Sequence, residues 1–169
     1  FRMVRATKNR FGPADEVGCF ELTERGIREV PDPSGLFASG AGLPASGTCA
    51  TVSMEGRRPL VAEFQALVAP AGPTGPRRVT HGLDLGRVTM TLAVLQRRAR
   101  LKLHQRDVFA STVGGVRVSD PAGDLATAIA IATALRDAEP RRRLVALGEI
   151  GLSGELRPVP AVHRRLAEA

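Results

Sequence analysis

The order of strand-like and helix-like hydrophobic patterns is what most limits how this chain can fold. After residue 47, short runs typical of strands are interrupted by longer runs whose apolar residues recur every three or four positions. The strands are predicted at 48–54, 59–68, 108–113, 116–118, 144–147 and 155–158. The helices are predicted at 83–99, at 120–137 and from about residue 160 onward. This β-β-α-β-β-α-β-β-α order predicts a single α+β domain and not an array of repeats.

The first part of the chain has a different character. Strand-like runs at 3–8, 17–22 and 26–30 predict a small antiparallel unit. The stretch 39–47 consists only of Gly, Ser, Ala, Leu and Pro, a composition typical of flexible connectors. No Gly-Lys-Ser or Gly-Lys-Thr follows it, so we do not expect it to cradle phosphate.

The connector suggests two parts, residues 1–45 and residues 46–169. The chain opens on Phe1 in a strand-like run and stops at Ala169 within a helical pattern. We therefore expect it to be a piece of a longer protein.

The charge balance favours an anionic partner. The chain has 24 Lys and Arg against 17 Asp and Glu, and only Lys8 and Lys102 are lysines. Arginine suits phosphate because its planar fork donates two parallel hydrogen bonds, so nucleic acid is the expected partner. A genome rich in G and C, which encodes arginine in place of lysine, explains the same composition.

Other classes of protein are less compatible with the sequence. Cys19 and Cys49 lie far apart with no C-x-x-C frame, so we expect no metal site and free thiols in a reducing cytoplasm. No apolar run approaches the roughly 18–20 residues of a membrane span. The dipeptide Gly-Lys is absent, and the histidines His81, His104 and His163 are scattered without a G-x-S-x-G motif. We therefore expect no catalysis by this chain alone.

The run Lys8-Asn9-Arg10-Phe11-Gly12 is the sharpest local feature. It places two cations, two positions apart, in a turn at the end of a predicted strand. Such groups can reach the γ-phosphate of a nucleotide on a neighbouring subunit, as an arginine finger does, or a DNA phosphate. An ordinary solvated turn is the alternative.

Two segments resemble signatures of the bacterial RadA (Sms) family, whose members are RecA-like DNA repair proteins. The first is Lys8-Asn9-Arg10-Phe11-Gly12, followed by Glu16-Val17-Gly18 and Phe20-Glu21-Leu22. The second is Gly148-Glu149-Ile150-Gly151-Leu152-Ser153-Gly154, followed by Pro158-Val159-Pro160. The resemblance implies a Lon-protease-like domain, similar to domain 2 of ribosomal protein S5, preceded by the β-rich tail of a RecA-like ATPase core.

The resemblance also implies properties of the parent protein. The parent is expected to be a cytoplasmic hexameric ring that carries a zinc finger and an ATPase core, and so to use zinc, ATP and Mg²⁺, none of which we expect in this chain. It is expected to act as a DNA-dependent ATPase that drives branch migration of recombination intermediates. The expected partners are single-stranded and branched DNA and the recombinase RecA, with no membrane. The segment Lys8 to Gly12 is expected to couple the nucleotide to the action of the parent on DNA.

Lon peptidases use a Ser/Lys dyad, and this sequence lacks both groups. Aligning the chain by its resemblance places Ala126 at the serine position and His163 at the lysine position. A fold kept without its dyad indicates a scaffold. The arginine-rich segments are the candidates for DNA contact, with ordinary surface charge or support of a helix end as the alternative. These candidates are Arg77, Arg78, Arg97, Arg98, Arg100 and Lys102.

Two alternative functions stay open. One is a Lon-like serine peptidase with a displaced dyad, whose nucleophile is Ser111, Ser119 or Ser153. The other is an RNA-binding domain, because the expected architecture resembles domain 2 of ribosomal protein S5.

Overall fold

The computed structural model describes residues 2–12, 14, 16–31, 45–142 and 144–169. Most of the predicted connector 39–47 lies outside the described residues. The described part has mixed α and β structure, as the sequence predicts.

The first part of the chain forms a three-stranded antiparallel sheet in the order β1-β2-β3. The strands are β1 (Arg2–Arg5), β2 (Val17–Thr23) and β3 (Gly26–Glu29). Arg5 pairs with Val17, and the Ala6 N–H donates to the Glu16 carbonyl at 2.9 Å. These contacts close the base of the loop that carries Lys8 to Gly12.

The second part is built on a four-stranded sheet in the order β4-β5-β7-β6. The strands are β4 (Thr48–Glu55), β5 (Arg58–Pro70), β6 (Arg78–His81) and β7 (Arg106–Thr112). The β4–β5 and β5–β7 pairs are antiparallel, whereas β6 runs parallel to β7. The sequence predicts no strand at β6, because this segment is short and half-exposed and lacks a periodic pattern.

Three α-helices are found among the described residues, and α1 and α2 pack against each other and the four-stranded sheet. The helices are α1 (Leu85–Arg97), α2 (Asp124–Arg136) and α3 (Val162–Glu168), and a short hairpin of β8 (Glu149–Ile150) and β9 (Leu156–Arg157) lies between α2 and α3. Helix α2 contributes to two apolar clusters. One contains Ala126 and Phe64, and the other contains Ile131 and Leu92. Its small side chains let it pack closely between them.

Several predicted elements differ from the structure. The predicted strands 116–118 and 144–147 are reduced to single bridges, in which Val118 pairs with Leu83 and Val145 pairs with Ala50. The first helix is shorter than the predicted 83–99. It begins after Asp84, whose carboxylate caps the Arg87 N–H at 2.8 Å. None of the described helices is both long and apolar enough to cross a bilayer.

Candidate nucleic-acid interface

The turn at Lys8 to Gly12 lies at the end of the β1–β2 hairpin and is ordered by Asn9. The Asn9 Oδ1 atom accepts a hydrogen bond from the Phe11 N–H at 3.0 Å, which is the geometry of an Asx turn. The amide group of Asn9 also lies against Gly12, where a Cβ atom would come within 2.9 Å of Asn9 Nδ2. These two contacts explain why the turn has Asn at position 9 and Gly at position 12.

The other three side chains of this turn point into solvent. Lys8 and Arg10 are exposed, and Phe11 is 95% exposed. Burial of a phenylalanine side chain stabilises a protein by about 1.5–3 kcal/mol, and the exposed Phe11 ring gains none of this within the described part of the chain. The sequence places Phe11 in the motif, but only the structure reveals its exposure.

A second basic segment follows helix α1. Arg97, Arg98, Arg100 and Lys102 are all exposed, and they take part in no ion pair found among the described residues. Leu101 and Leu103 alternate with Arg100 and Lys102 and are buried. Arg100 has a positive φ of 55°, which turns the chain away from the helix axis. The buried leucines thus hold the intervening cations outward.

Arg77 is exposed but partly neutralised. Its side chain donates to Asp107 Oδ2 through Nε at 2.9 Å and Nη2 at 2.6 Å, and its backbone N–H donates to Oδ1 at 2.8 Å. The backbone and side-chain hydrogen bonds from Arg77 lower the pKa of Asp107. The guanidinium also lies 5.6 Å from the centre of the Phe109 ring. Arg77 therefore offers less charge to a partner than Arg100 does.

Arg78 supports the chain that carries Lys102. Its guanidinium donates to the backbone carbonyls of Arg77 at 2.9 Å and Leu103 at 3.0 Å, and also to that of Arg106. These bonds tie the start of β6 to the segment after α1. Arg78 is therefore bonded to Leu103, the residue after Lys102, and these bonds engage its guanidinium donors.

The positions expected for a Lon dyad lie in unlike surroundings. Ala126 is fully buried in the apolar core, and His163 is exposed on α3. A side chain at position 126 faces the core and not solvent, so this pair of positions forms no open site. The burial of position 126 does not follow from the sequence, because the helical pattern alone does not say which face is covered.

The alternative serine nucleophiles have no lysine beside them in the contacts of the described residues. Ser111 is the cross-strand partner of His81, Ser119 is exposed, and Ser153 donates to the Glu155 carboxylate. A hydroxyl bonded to an ionised carboxylate still needs a geometry that delivers it to a substrate carbonyl. The described contacts provide no such arrangement.

A cleft that the sequence analysis missed lies between α1, α2 and the β8–β9 hairpin. It has a volume of about 300 Å³. Arg87 donates to both carboxylate oxygens of Asp124, at 3.0 and 2.5 Å, and Asp124 also accepts the Ile150 N–H at 3.1 Å. Arg157 pairs with Glu155 at 2.5 Å. The cleft is charged but internally paired, so it is not an open phosphate site.

This cleft explains part of the Gly148–Gly154 signature. Hydrogen bonds from Ser153 and from the Glu155 backbone, together with Arg157, lower the pKa of Glu155 to about 2. The Glu155 carboxylate lies so close to Gly151 that a Cβ atom there would collide with it. The signature thus builds a tight acidic loop against Arg157. No group of three His, Cys, Asp or Glu side chains suited to a metal ion occurs in the described ranges.

Comparison with known proteins gives a consistent result. No family model matches the chain. It is 52% identical over 169 residues to the DNA repair protein RadA of Mycolicibacterium smegmatis. The matched region covers 99% of this chain and 36% of the relative. The chain is 46% identical to RadA of Escherichia coli and 43% identical to RadA of Bacillus subtilis, in each case over 100% of this chain and 37% of the relative.

The chain spans a little over a third of the length of these relatives. The agreement extends across both parts of the chain, the small sheet that carries the exposed turn and the larger domain that follows it. The chain therefore belongs to the bacterial DNA repair protein RadA family, and it corresponds to a segment of that protein.

Proposed function

We propose that this chain is the C-terminal module of a RadA-type, DNA-dependent ATPase that processes recombination intermediates during DNA repair. In this role it contacts DNA and serves as the platform of a ring, while a RecA-like core elsewhere in the parent binds ATP and Mg²⁺. The parent then acts as a hexamer on single-stranded and branched DNA, together with the recombinase RecA, and drives branch migration. A zinc finger belongs to the parent and not to this chain.

The exposed turn is the observation that carries this proposal. Lys8 and Arg10 present two cations beside the Phe11 ring on a turn whose backbone is held by Asn9. Phosphate attracts both cations, and an aromatic ring offers a surface for stacking. The identity of the relatives as DNA repair proteins gives this arrangement its expected partner.

The larger domain is proposed to be a Lon-like fold that lacks the catalytic Ser/Lys dyad. Ala126 has no nucleophile and is buried in the core, and His163 lies exposed on α3. A domain of this kind contributes surface for assembly and for DNA, with the cations of residues 97–102 on its exterior. Labelling with a serine-reactive fluorophosphonate is expected to leave the native chain unmodified, and stoichiometric labelling of one serine would instead support a peptidase.

The small sheet is proposed to be the end of the RecA-like core. One face of it carries the exposed apolar side chains of Val4, Leu22 and Ile27, which are 59%, 53% and 72% exposed. Leu22 and Ile27 are cross-strand partners, so the two side chains form one patch. Such a patch is covered when the preceding part of the parent packs against it. Hydrogen exchange of β2 and β3 is then expected to be slower in the full-length protein than in this chain.

Salt-dependent binding tests the DNA contact. The chain is titrated into fluorescently labelled single-stranded DNA, and anisotropy is recorded at several salt concentrations. Each phosphate contact contributes about 0.7 to the slope of log K against log salt for single strands. The double variant Lys8→Ala/Arg10→Ala is expected to lower that slope by about 1.4. Arg100→Ala/Lys102→Ala reports the second basic segment in the same way.

Three outcomes separate the alternatives. Steep salt dependence that falls in the variants supports DNA contact by the named cations. Absence of binding even at low salt means that the chain is a platform only and that DNA contact belongs to the rest of the parent. Tighter binding to structured RNA than to single-stranded DNA of equal length would support the RNA-binding alternative.

A further inference from the structure

Two contacts of one side chain hold the exposed turn in shape. The Asn9 carboxamide accepts the Phe11 N–H through Oδ1 at 3.0 Å. Its Nδ2 atom lies against Gly12, where a Cβ atom would come within 2.9 Å. Asn9 thus joins the two sides of the turn, and it lies between the two residues whose cations are exposed.

Burial contributes little order to the described residues of the turn. The loop base is fixed at Ala6, whose N–H bonds to the Glu16 carbonyl at 2.9 Å. Beyond that point Lys8, Arg10 and Phe11 are exposed, so burial of their side chains does not order the backbone. A flexible turn loses conformational entropy when it binds a ligand, whereas a turn that is already ordered does not.

We propose that Asn9 is the positioning residue of this turn, which sets the direction of Lys8 and Arg10 before they meet a phosphate and contacts no phosphate itself. The inference rests on the proposed role of the turn in phosphate contact. The Asx turn pre-orders the backbone between the two cations, so both guanidinium and ammonium groups reach one phosphate-bearing ligand without further ordering of the chain. Gly12 has the complementary role, because any larger residue displaces the Asn9 amide.

The phosphate has two possible sources. One is the DNA backbone, and the other is a nucleotide bound by a neighbouring subunit of the parent. Binding of labelled single-stranded DNA by this chain reports the first source. DNA-stimulated ATP hydrolysis by the full-length protein reports the second.

The experiment compares five variants with the native protein in both assays. Asn9→Ala removes the turn acceptor, and Asn9→Ser restores it, because a serine hydroxyl can accept from a backbone N–H two residues later. Lys8→Ala/Arg10→Ala removes the cations, and a triple variant adds Asn9→Ala to that pair. Thr7→Ala is the matched control, since it changes an exposed residue of the same loop outside the turn.

The expected pattern is specific to a positioning role. Asn9→Ala weakens binding of single-stranded DNA about 10-fold, or lowers the stimulated hydrolysis rate, in the same assay in which Lys8→Ala/Arg10→Ala has its effect. For DNA its salt slope stays native, because both cations still contact phosphate, whereas Lys8→Ala/Arg10→Ala lowers that slope by about 1.4. Asn9→Ser and Thr7→Ala retain the native values. The triple variant behaves as the double variant does, because there is nothing left for Asn9 to position.

Other patterns overturn the inference. In one outcome, Asn9→Ala binds DNA and hydrolyses ATP as the native protein does, while Lys8→Ala/Arg10→Ala loses binding or stimulated hydrolysis. That outcome shows that the cations act without Asn9, and it leaves the proposed function intact. A further loss in the triple variant shows that Asn9 contacts the ligand directly. A native response of Lys8→Ala/Arg10→Ala in both assays removes both the role of the turn and the inference.

Discussion

Arg165, on helix α3, donates through Nη1 to Asp120 Oδ2 at 2.6 Å across a separation of 45 residues. Arg165 is only 2% exposed, although most of α3 faces solvent. Its guanidinium also donates to the carbonyls of Val52 at 2.6 Å and Pro160 at 2.9 Å. Asp120 accepts in addition from the Met54 and Ala122 N–H groups. This pair joins α3, the start of α2 and strand β4.

Replacing Arg165 by alanine is expected to destabilise the chain by about 3–5 kcal/mol. Removing one partner of a buried pair leaves the other charge without compensation, and that cost exceeds the net value of the pair. Urea unfolding followed by circular dichroism measures the change. Arg164→Ala, on the exposed side of the same helix, is the matched control and is expected to stay within about 0.5 kcal/mol of the native chain. Equal effects of the two variants would contradict the anchoring role of Arg165.

Stability is expected to fall in acid because of Asp120. Burial alone raises the pKa of Asp120, but hydrogen bonds from Arg165, Ala122 and Met54 outweigh it, so the pKa lies below its ordinary value. A carboxyl with a lowered folded-state pKa contributes stability above its unfolded pKa of about 3.9 and loses it as the pH falls through the folded value. Free energies of unfolding at pH 7, 5 and 3 are expected to be similar at the first two and lower at the third.

The variant Asp120→Asn tests the origin of this acid sensitivity. It is expected to be less stable than the native chain at pH 7 and to lose less stability between pH 5 and pH 3. Some dependence on pH remains, because Glu155 has a pKa of about 2 and the pKa of Asp107 is lowered as well. An unchanged difference between pH 5 and pH 3 would assign the effect to those other carboxyls.

Gly47→Ala is expected to destabilise the domain by about 2–4 kcal/mol. Gly47 has a φ of 80°, a conformation that residues with a Cβ atom rarely adopt. A Cβ atom there would also collide with the carbonyl oxygen of Ala66 at the start of the β4–β5 pair. Gly72→Ala is the control, since a Cβ atom at that position meets no atom within 4 Å. Thermal unfolding of the two variants is compared with that of the native chain. A native melting temperature for Gly47→Ala would show that the sheet can shift without cost.

Cys49 is expected to resist alkylation while the chain is folded. It is 3% exposed, and burial, with a smaller contribution from Glu63, raises the pKa of its thiol to about 11. Because the thiolate is the reactive form, iodoacetamide at pH 8 should leave Cys49 unmodified in the native chain and modify it in urea. A cysteine introduced at the exposed position Ser119 provides a reactive reference. Mass spectrometry of the peptides reads the outcome, and equal modification at both positions in the native chain would contradict it.

Periodic patterns predicted the longer elements well. Within the predicted helix 83–99, the apolar residues Val88, Leu92 and Leu95 recur every three or four positions, and their side chains are buried in the structure. The predicted helix 120–137 begins with Asp120 and Pro121, and Asp120 caps the turn that leads into α2 by accepting the Ala122 N–H at 3.0 Å. These features are local, so nearby residues are enough to specify them.

Short pairings were harder to predict because their partners are distant in the chain. Strand β6 has four residues, and it is defined by its parallel pairing with β7, not by its own pattern. Residues 144–147 have an apolar strand-like pattern, but only Val145 finds a bridge, with Ala50. The candidate site shows the same limit, because the sequence did not reveal that Arg78 is engaged by backbone carbonyls while Arg100 is free to face solvent.

The sequence by itself determined the family, the mixed α and β composition and the location of the Lys8–Gly12 turn, because these depend on motifs and on neighbouring residues. Only the tertiary structure decided which charged side chains are exposed. Arg164 and Arg165 are adjacent and chemically identical, yet one is exposed and the other is buried against Asp120. Burial depends on which elements pack together, and that packing is set by contacts between residues far apart in the chain.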